Sequence, residues 1–204
     1  MARLRANWSA QIAAIAAIGA APVGAAIPQL DASLPIQLDA RSSDVDYKNN
    51  TLLFRTVRIS QGSLAVEADE ATATGLDFND SHWLFTGHVK ITTKDGFLTA
   101  DVARITFLTN QLSAADATGA PANFEQRRAD SIATGHARQI EYRPASAMIK
   151  LTKEAFLSDG RNNISGNTLL YNLRDQRVIA NPEDQSNERV SITIAPKPSD
   201  PKHP

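Results

Sequence analysis

The sequence predicts an all-β fold made of many short antiparallel strands. Three observations support this prediction. Apolar and polar residues alternate with period two from about residue 35 to residue 180, turn-forming residues separate the alternating segments, and a degenerate pattern returns about every 30 residues. The strongest helical candidate beyond the first 26 residues, 116–133, contains Gly119 and Pro121. A sandwich, a jelly roll or a solenoid-like sheet would each satisfy this pattern.

Residues 1–26 have the features of a secretory signal peptide. A short basic start with two arginines precedes an Ala-rich apolar run at 12–21, and small residues follow at 23–26. A membrane-spanning helix needs about 20 strongly apolar residues, whereas this run is short and contains or adjoins glutamine, glycine and proline. We therefore expect cleavage near Ala25 or Ala26, followed by export. An uncleaved N-terminal anchor is the alternative.

The rest of the chain is predicted to form a single domain, for which its length is sufficient. Residues 27–34 are interpreted as a lead-in, 35–194 as the β-domain, and 195–204 as a disordered tail because this last segment is polar and rich in proline. The final strand is expected at 190–194.

Composition excludes several classes of function. The formal net charge of the whole chain is -1, and loss of the two arginines in the signal would make it -3. Non-specific nucleic-acid binding depends on clustered cations, so a nucleic-acid partner is not expected. The sequence contains no cysteine, which excludes disulfides, thiol nucleophiles and cysteine metal sites.

The predicted strands follow one another along the chain. Alternation is clearest at 57–60, 64–67, 89–92, 105–107, 140–142 and 149–152. Turn signals separate these segments at 48–50, 61–62, 94–96, 143–144 and 159–160. Each strand is therefore expected to have one buried and one solvated face.

Small residues mark a repeat across the predicted domain. Ala68 and Ala100 are each followed by aspartate, and Ala40, Ala137 and Gly166 continue a spacing of about 30 residues. Each repeat would consist of a pair of strands that cannot bury its apolar face alone and therefore stacks on its neighbours.

Several segments, in their order along the chain, match the pattern of one family: 35–40, 57–64 with Ala68–Asp69, 117–126, 135–142 and 164–167. Together they resemble the LptA/OstA-like family of periplasmic lipopolysaccharide transport proteins over about residues 35–180. Two positions depart from the family pattern: Arg55–Thr56 before the third strand, and Asn167, where the family usually has aspartate.

The resemblance implies a V-shaped, incompletely closed antiparallel β-jelly roll with an open apolar interior. It further implies a non-enzymatic periplasmic protein of Gram-negative bacteria that binds lipopolysaccharide and holds the acyl chains of lipid A in an apolar groove. Members of the family stack end to end. They link an inner-membrane component of the lipopolysaccharide transport machine to an outer-membrane component, and no cofactor or metal is implied.

The candidate lipid-binding residues come from the resemblance and from alternation. The resemblance places Ile36 and Leu38 on a cargo-facing strand, and Phe124 and Tyr142 on the lining of the interior. Alternation predicts that seven further residues point inward: Phe54, Val57, Ile59, Leu64, Val66, Ile149 and Leu151. Ordinary core packing would satisfy the same pattern at each position. Trp83 is expected in the core.

The terminal strands are predicted to be docking edges, at 36–40 and at 190–194. An exposed strand edge has unpaired backbone groups and accepts a strand from another chain. Two edges, one at each end of the domain, would allow copies to join head to tail.

Evidence for other chemistry is weak. Asp80–Ser81–His82 contains the residue types of a catalytic triad but is interpreted as a turn, and the histidines lack the spacing and acidic neighbours of a metal site. Arg58 with Lys90, and Arg127–Arg128, could contact lipid A phosphates at the rim, but a solvated charged face is the preferred interpretation of both pairs.

Three other interpretations stay open from the sequence. The first is an inner-membrane-anchored relative that belongs to the same transport machine and keeps its N-terminal segment. The second is a structural β-solenoid that polymerises without lipid cargo. The third, an enzyme, would need a cluster of titratable residues at the end of an apolar stretch, and the sequence contains none.

Overall fold

The computed structural model describes residues 34–74, 80–109, 111–127, 131–175, 177–182 and 189–196. The predicted signal peptide, the lead-in up to residue 33 and the tail from residue 197 lie outside these ranges. Within them, no helix is long and apolar enough to cross a membrane.

The described part of the chain forms one antiparallel sheet of eleven strands, with one short 3₁₀ turn at Pro144–Ser146. The strands are β1 Gln37–Asp46, β2 Thr51–Gln61, β3 Leu64–Thr74, β4 Asp80–Thr93, β5 Gly96–Leu108, β6 Gln111–Arg127, β7 Ile132–Arg143, β8 Met148–Ser158, β9 Asn163–Asn172, β10 Arg177–Ala180 and β11 Ser191–Thr193.

The sheet is a simple meander with two free ends. Each strand from β1 to β10 pairs with the next along the chain, and β11 pairs with β9. Among the described residues, β1 and β10 do not pair with each other, so the sheet stays open. The predicted all-β, incompletely closed antiparallel fold is confirmed.

A line of irregular backbone, here called the crease, crosses the sheet at the middle of its long strands. Register shifts occur there in every strand pair from β3–β4 to β8–β9. Each of these pairs has two paired positions that flank the register shift. Between them, the even-numbered strand (β4, β6 or β8) has more residues than its partner strand. Extra residues in a strand bend it.

The crease divides the sheet into two limbs, which are the two sides of the V. The first limb contains strand residues 37–40, 57–61, 64–68, 89–93, 96–100, 122–127, 132–137, 155–158, 163–166 and 191–193. The second limb contains strand residues 42–46, 51–55, 70–74, 80–86, 102–108, 111–118, 139–143, 148–152, 168–172 and 177–180.

Buried residues line the interior on both sides of the crease. On the second limb, one unbroken row of directly opposed residues crosses every strand from β1 to β10: Ser43, Phe54, Ala71, Phe85, Ala103, Ala117, Ile140, Leu151, Leu169 and Ala180. All of its members except the two at the ends are buried. This row is called the crease row.

The repeat of small residues lies beside the crease on the first limb. Ala40, Ala68, Ala100, Ala137 and Gly166 belong to the odd-numbered strands β1, β3, β5, β7 and β9. The three inner alanines are buried in the core. Along their row, Ala40 and Ala68 are directly opposed to the buried Val57 of the even-numbered strand β2, and Ala100 is directly opposed to the buried Val89 of β4. The repeat of about 30 residues is therefore one hairpin per unit, as the sequence predicts.

On the outer face, the aspartate after Ala68 contacts the crease of the next strand. Asp69 Oδ2 lies 2.7 Å from Nδ1 of His88. Gly87 precedes this histidine with φ +74°, and a Cβ there would lie 2.3 Å from Asp69 Oδ2. Only glycine therefore gives the carboxylate room to reach the histidine.

The His88 imidazole is expected to titrate above its ordinary value of 6.5, because the hydrogen bond to Asp69, and then the charge of Asp69, raise its pKa. Asp69→Asn should lower the midpoint measured for His88 by NMR titration, and an unchanged midpoint would contradict the pairing. A raised pKa means that the contribution to stability is complete below 6.5 and disappears as the pH rises through the folded-state value. Both side chains are largely exposed, so the effect on stability should be small.

Candidate functional site

Two further rows of apolar residues run across the whole sheet on its interior face, one on each limb. The first-limb row contains Leu38, Ile59, Val66, Ile91, Leu98, Phe124, Gly135, Leu157, Ile164 and Ile192. The second-limb row contains Val45, Leu52, Ala73, Trp83, Ile105, Ala115, Tyr142, Ile149, Tyr171 and Val178. Each member lies directly opposite the next, and each row ends at both free edges.

These two rows are more exposed than the crease row. Eight residues of the first-limb row and seven of the second-limb row are partly or fully exposed, whereas eight of the ten in the crease row are buried. Exposure is therefore higher in these two rows than in the crease row, although Ser81 and Phe107, farther from the crease on the second limb, are buried. Exposure also increases toward the edges: Leu38 and Val45 are each 38% exposed and Ile192 is 50% exposed. The interior face therefore carries partly exposed apolar surface on both limbs and at both edges of the sheet; this surface is called the groove.

The eleven predicted lipid-binding residues occupy three kinds of position. Phe54, Val57, Val66 and Leu151 are buried and form the floor of the groove. The partly buried residues are Ile59, Phe124 and Ile149, which pack against the core, together with Leu64 and Tyr142. Ile36 and Leu38 are exposed at the β1 edge. Lipid contact by any of them stays a prediction.

The inward orientation of Phe54 and Val57 depends on the crease. These residues are three positions apart, so simple alternation would place them on opposite faces. Between them Arg55 and Thr56 are both exposed, and Thr56 has φ +48°. This irregularity reverses the alternation, and both apolar side chains pack in the same core.

Tyr142 places a polar atom on the groove wall. Its hydroxyl is buried and has no hydrogen-bond partner among the described residues, and desolvation raises its pKa. It is opposite Ala115 on one side and Ile149 on the other. A neutral hydroxyl at this position could donate a hydrogen bond to an oxygen atom of a ligand in the groove.

Phe124 lies over a glycine rather than over another side chain. Gly135 is its direct partner on β7, and a Cβ on this glycine would lie 2.3 Å from Phe124 Cε1. The aromatic ring therefore occupies the space that a side chain at position 135 would fill. Sequence reasoning identified Phe124 but missed Gly135, although the family segment at 135–142 begins with this residue.

The predicted core role of Trp83 is confirmed. Its side chain is 5% exposed, and its ring is stacked with Phe54 at 6.3 Å and with Phe85 at 5.8 Å between centroids. The indole N–H donates to Ser81 Oγ at 3.3 Å. The turn predicted at Asp80–Ser81–His82 is wrong, because these three residues begin β4 and pair with β5. Ser81 is fully buried, and its hydroxyl accepts the hydrogen bond from the Trp83 indole.

The outer face is polar, and several of its charged residues form ion pairs. Arg58 forms an ion pair with Glu67, which lies opposite Lys90 in the sheet. Arg127 pairs with Glu125, and Arg128 lies outside the described residues. The basic residues considered for contact with lipid A phosphates therefore lie on the face opposite the groove or at the rim of the groove. Acidic residues lie beside them.

A polar cleft of about 530 Å³ lies on this outer face near the β11 edge, lined by Arg138, Lys153, Glu154, Gly166, Asn167 and Arg189. Because Arg138 pairs with Glu154 at 2.9 Å, part of the charge is neutralised. Among the described residues, no group of three histidine or acidic side chains could hold a metal ion.

Comparisons with known proteins agree with this geometry. Residues 70–177 match the family described as "LptA/(LptD N-terminal domain) LPS transport protein", which is more than half of the chain. The chain is 23% identical over 168 residues to the lipopolysaccharide export system protein LptA of Escherichia coli K12, which covers 81% of this chain and 74% of the relative. LptA of Shigella flexneri gives the same values.

A solved structure shows the same fold. The crystal structure of LptH from Pseudomonas aeruginosa, described as the LptA homologous periplasmic component of the lipopolysaccharide transport device, matches with a TM-score of 0.51 and 20% identity. The match covers 82% of this chain and 99% of LptH.

Proposed function

Since the chain belongs to the LptA/(LptD N-terminal domain) family of lipopolysaccharide transport proteins, we propose that it carries lipopolysaccharide across the periplasm with the acyl chains of lipid A held in the apolar groove. As a member of this family it is a non-enzymatic transport protein. The finer proposal concerns the groove, the bridge between the two membranes and the joining of copies end to end.

The observation that supports groove binding is the pair of partly exposed apolar rows. An apolar row in an ordinary sandwich is buried against the facing sheet, whereas these rows keep exposed surface along the sheet. Strands are spaced about 4.8 Å apart, so a row across ten strands is roughly 40 Å long. This length exceeds the thickness of the hydrocarbon core of a whole bilayer, about 30 Å, so an acyl chain fits lengthwise along a row.

The energy of binding would come from removing methylene groups from water. Each buried methylene contributes about 0.8 kcal/mol, so a chain with about ten buried methylenes gains roughly 8 kcal/mol before the entropy of immobilisation is subtracted. No charged pocket is needed for this. Lipid A has several chains, and both limbs offer an apolar wall.

A periplasmic location is supported by the predicted export signal and by the description of LptH as a periplasmic component. The free edges, β1 at one end and β10 with β11 at the other, offer unpaired backbone groups for docking. We propose that they join copies of the chain to one another, and join the ends of the assembly to the inner-membrane and outer-membrane components of the transport machine.

The proposal predicts that the protein carries lipid A when purified. It should be released from cells by osmotic shock, and mass spectrometry of an organic extract should show lipid A. Retention with the membrane fraction would instead indicate the anchored relative. Release without bound acyl lipid would indicate a structural polymer and reject the carrier function.

A further inference from the structure

We propose that copies of this chain join in one specific register, in which Leu38 of one copy lies opposite Ile192 of the next and Val45 lies opposite Val178. The inference rests on the proposed end-to-end docking and adds the residue pairing at the joint. In this register the apolar rows of both limbs continue from one copy into the other, and the groove has no break.

The two edges are complementary in length and direction. β1 is a single strand that crosses the crease. At the other end of the sheet, the far side of β9 is covered by two short strands, with β10 on the second limb and β11 on the first. Both run antiparallel to β9, and strand direction alternates along the meander. The β1 strand of another copy can therefore add antiparallel to β10 and β11 together.

The crease fixes the register on the first limb. In β1 the crease is at Arg41. Ala40, before it, lies opposite Val57, and Ser42, after it, lies opposite Arg55. At the other edge, the β11–β9 register, extended by two residues, places Arg189 opposite Asn167 at the crease of β9.

Aligning the two creases then pairs the first-limb residues that follow. Ala40 meets Val190, Leu38 meets Ile192, and Ile36 meets Ile194, three apolar pairs on the interior face. The exposed aspartate between them, Asp39, meets Ser191 on the outer face.

The second limb gives the same result independently. The crease row begins at Ser43 in β1 and ends at Ala180 in β10, and the second-limb row begins at Val45 and ends at Val178. Antiparallel continuation from Ser43 opposite Ala180 places Val45 opposite Val178. One rigid placement of β1 thus extends the rows of both limbs.

Exposure of the apolar residues points to the same contact. Six large apolar side chains near the two edges are substantially exposed: Ile36, Leu38 and Val45, each 38%, and Val190, Ile192 and Ile194 at 39%, 50% and 69%. The first three belong to the β1 edge. The other three belong to the β11 edge, and Val178 is the partly exposed partner for Val45.

Slipped registers lose these contacts. A slip of one residue turns every apolar side chain of β1 to the outer face. A slip of two keeps the face but moves the crease of one copy against a regular strand of the other. Charges do not select the register. This register creates one favourable pair, Asp46 with Arg177, and one unfavourable pair, Arg41 with Arg189. Both pairs lie at the edge of the sheet, where an ion pair contributes little energy.

Cysteine crosslinking tests the register, since the native sequence contains no cysteine. A disulfide requires Cα atoms about 4.4–6.8 Å apart. Directly opposed residues meet this at about 4.5–5.5 Å, whereas a two-residue offset gives about 7–8 Å. Leu38→Cys protein mixed with Ile192→Cys protein, and Val45→Cys with Val178→Cys, should give a crosslinked dimer on oxidation.

The matched controls use offset pairs in which the second residue is also substantially exposed, Val190 at 39% and Ile194 at 69%. Leu38→Cys mixed with Val190→Cys, or with Ile194→Cys, should crosslink at least fivefold less. An equal or higher yield from an offset pair would overturn the register. A dimer formed by Leu38→Cys alone would show that two β1 edges meet, which contradicts head-to-tail docking as well.

Sedimentation of the wild-type protein separates failure of the register from failure of the proposed docking. If the wild type stays monomeric at all concentrations, end-to-end docking itself is wrong, and the register fails with it. If the wild type assembles but neither opposed pair crosslinks, the register alone is refuted. Circular dichroism confirms that each variant is folded, which the exposure of the substituted residues favours.

Discussion

Trp83→Ala is expected to lower the free energy of unfolding by about 3–5 kcal/mol, the usual loss for a large aromatic side chain removed from a core. Trp83 is 5% exposed and its ring is stacked with Phe54 and Phe85. Its removal leaves a cavity in the second-limb wall and leaves the buried Ser81 hydroxyl without the indole donor. Chemical denaturation followed by circular dichroism measures the loss.

Two further variants show whether the loss comes from this packing. Trp83→Phe keeps an aromatic ring between the same neighbours and should lose clearly less than the alanine variant. His82→Ala, one residue away on the exposed outer face, should stay within about 0.5 kcal/mol of the wild type. If Trp83→Ala were as mild as His82→Ala, Trp83 would not be part of a continuous core.

Leu98→Asp is expected to weaken lipopolysaccharide binding at least tenfold, which corresponds to about 1.4 kcal/mol or more. Leu98 lies in the middle of the first-limb row, between Ile91 and Phe124, and is partly exposed to the groove. A carboxylate beside an alkyl chain must either lose its hydration or keep the chain away. Binding of fluorescently labelled lipopolysaccharide to the purified, lipid-free variant measures the effect.

Thr99→Asp is the matched control, because it places the same carboxylate one residue further along β5 on the outer face. Thr99 is opposite Lys90 and Asn123, where a negative charge is tolerated. This variant should bind lipopolysaccharide as the wild type does. Equal losses in both variants would show that binding is not in the groove. Thermal unfolding of both proteins tests whether the loss reflects misfolding instead.

The strands could be predicted from the sequence because alternation is a local property. Segments such as 89–92 and 149–152 appear in the structure as parts of β4 and β8. The crease could not be predicted in the same way. A bulge is a difference in residue number between two paired strands, so it depends on register. The inward positions Phe54 and Val57 were identified from the sequence, but the reason for their shared face is visible only in the structure.

The repeat gave more information than the alternation. The small residues at Ala68, Ala100 and Ala137 predicted one strand pair per repeat, and the hairpins of the sheet follow this spacing. Their position beside the crease required the fold. The crease depends on pairing between residues that are distant in sequence, and no local pattern records that pairing.

The candidate site could be predicted only in part. The alternation of apolar and polar residues indicates which side chains point inward. It does not indicate how far the two limbs diverge, and this divergence decides which inward side chains are exposed. Val66 and Ile59 therefore looked equivalent in the sequence, although Val66 is buried and Ile59 is partly exposed. The continuity of the rows was also beyond prediction, because it depends on the register of nine successive strand pairs.

Site-specific photo-crosslinking to lipopolysaccharide in living cells tests most directly whether the groove holds the acyl chains. A photoreactive amino acid at Phe124, at Tyr142 or at Leu38 lies on the interior face, whereas one at Arg58 lies on the outer face. We expect crosslinks to lipopolysaccharide from the three interior positions and none from Arg58. Crosslinks from Arg58 without any from the interior positions would contradict the account.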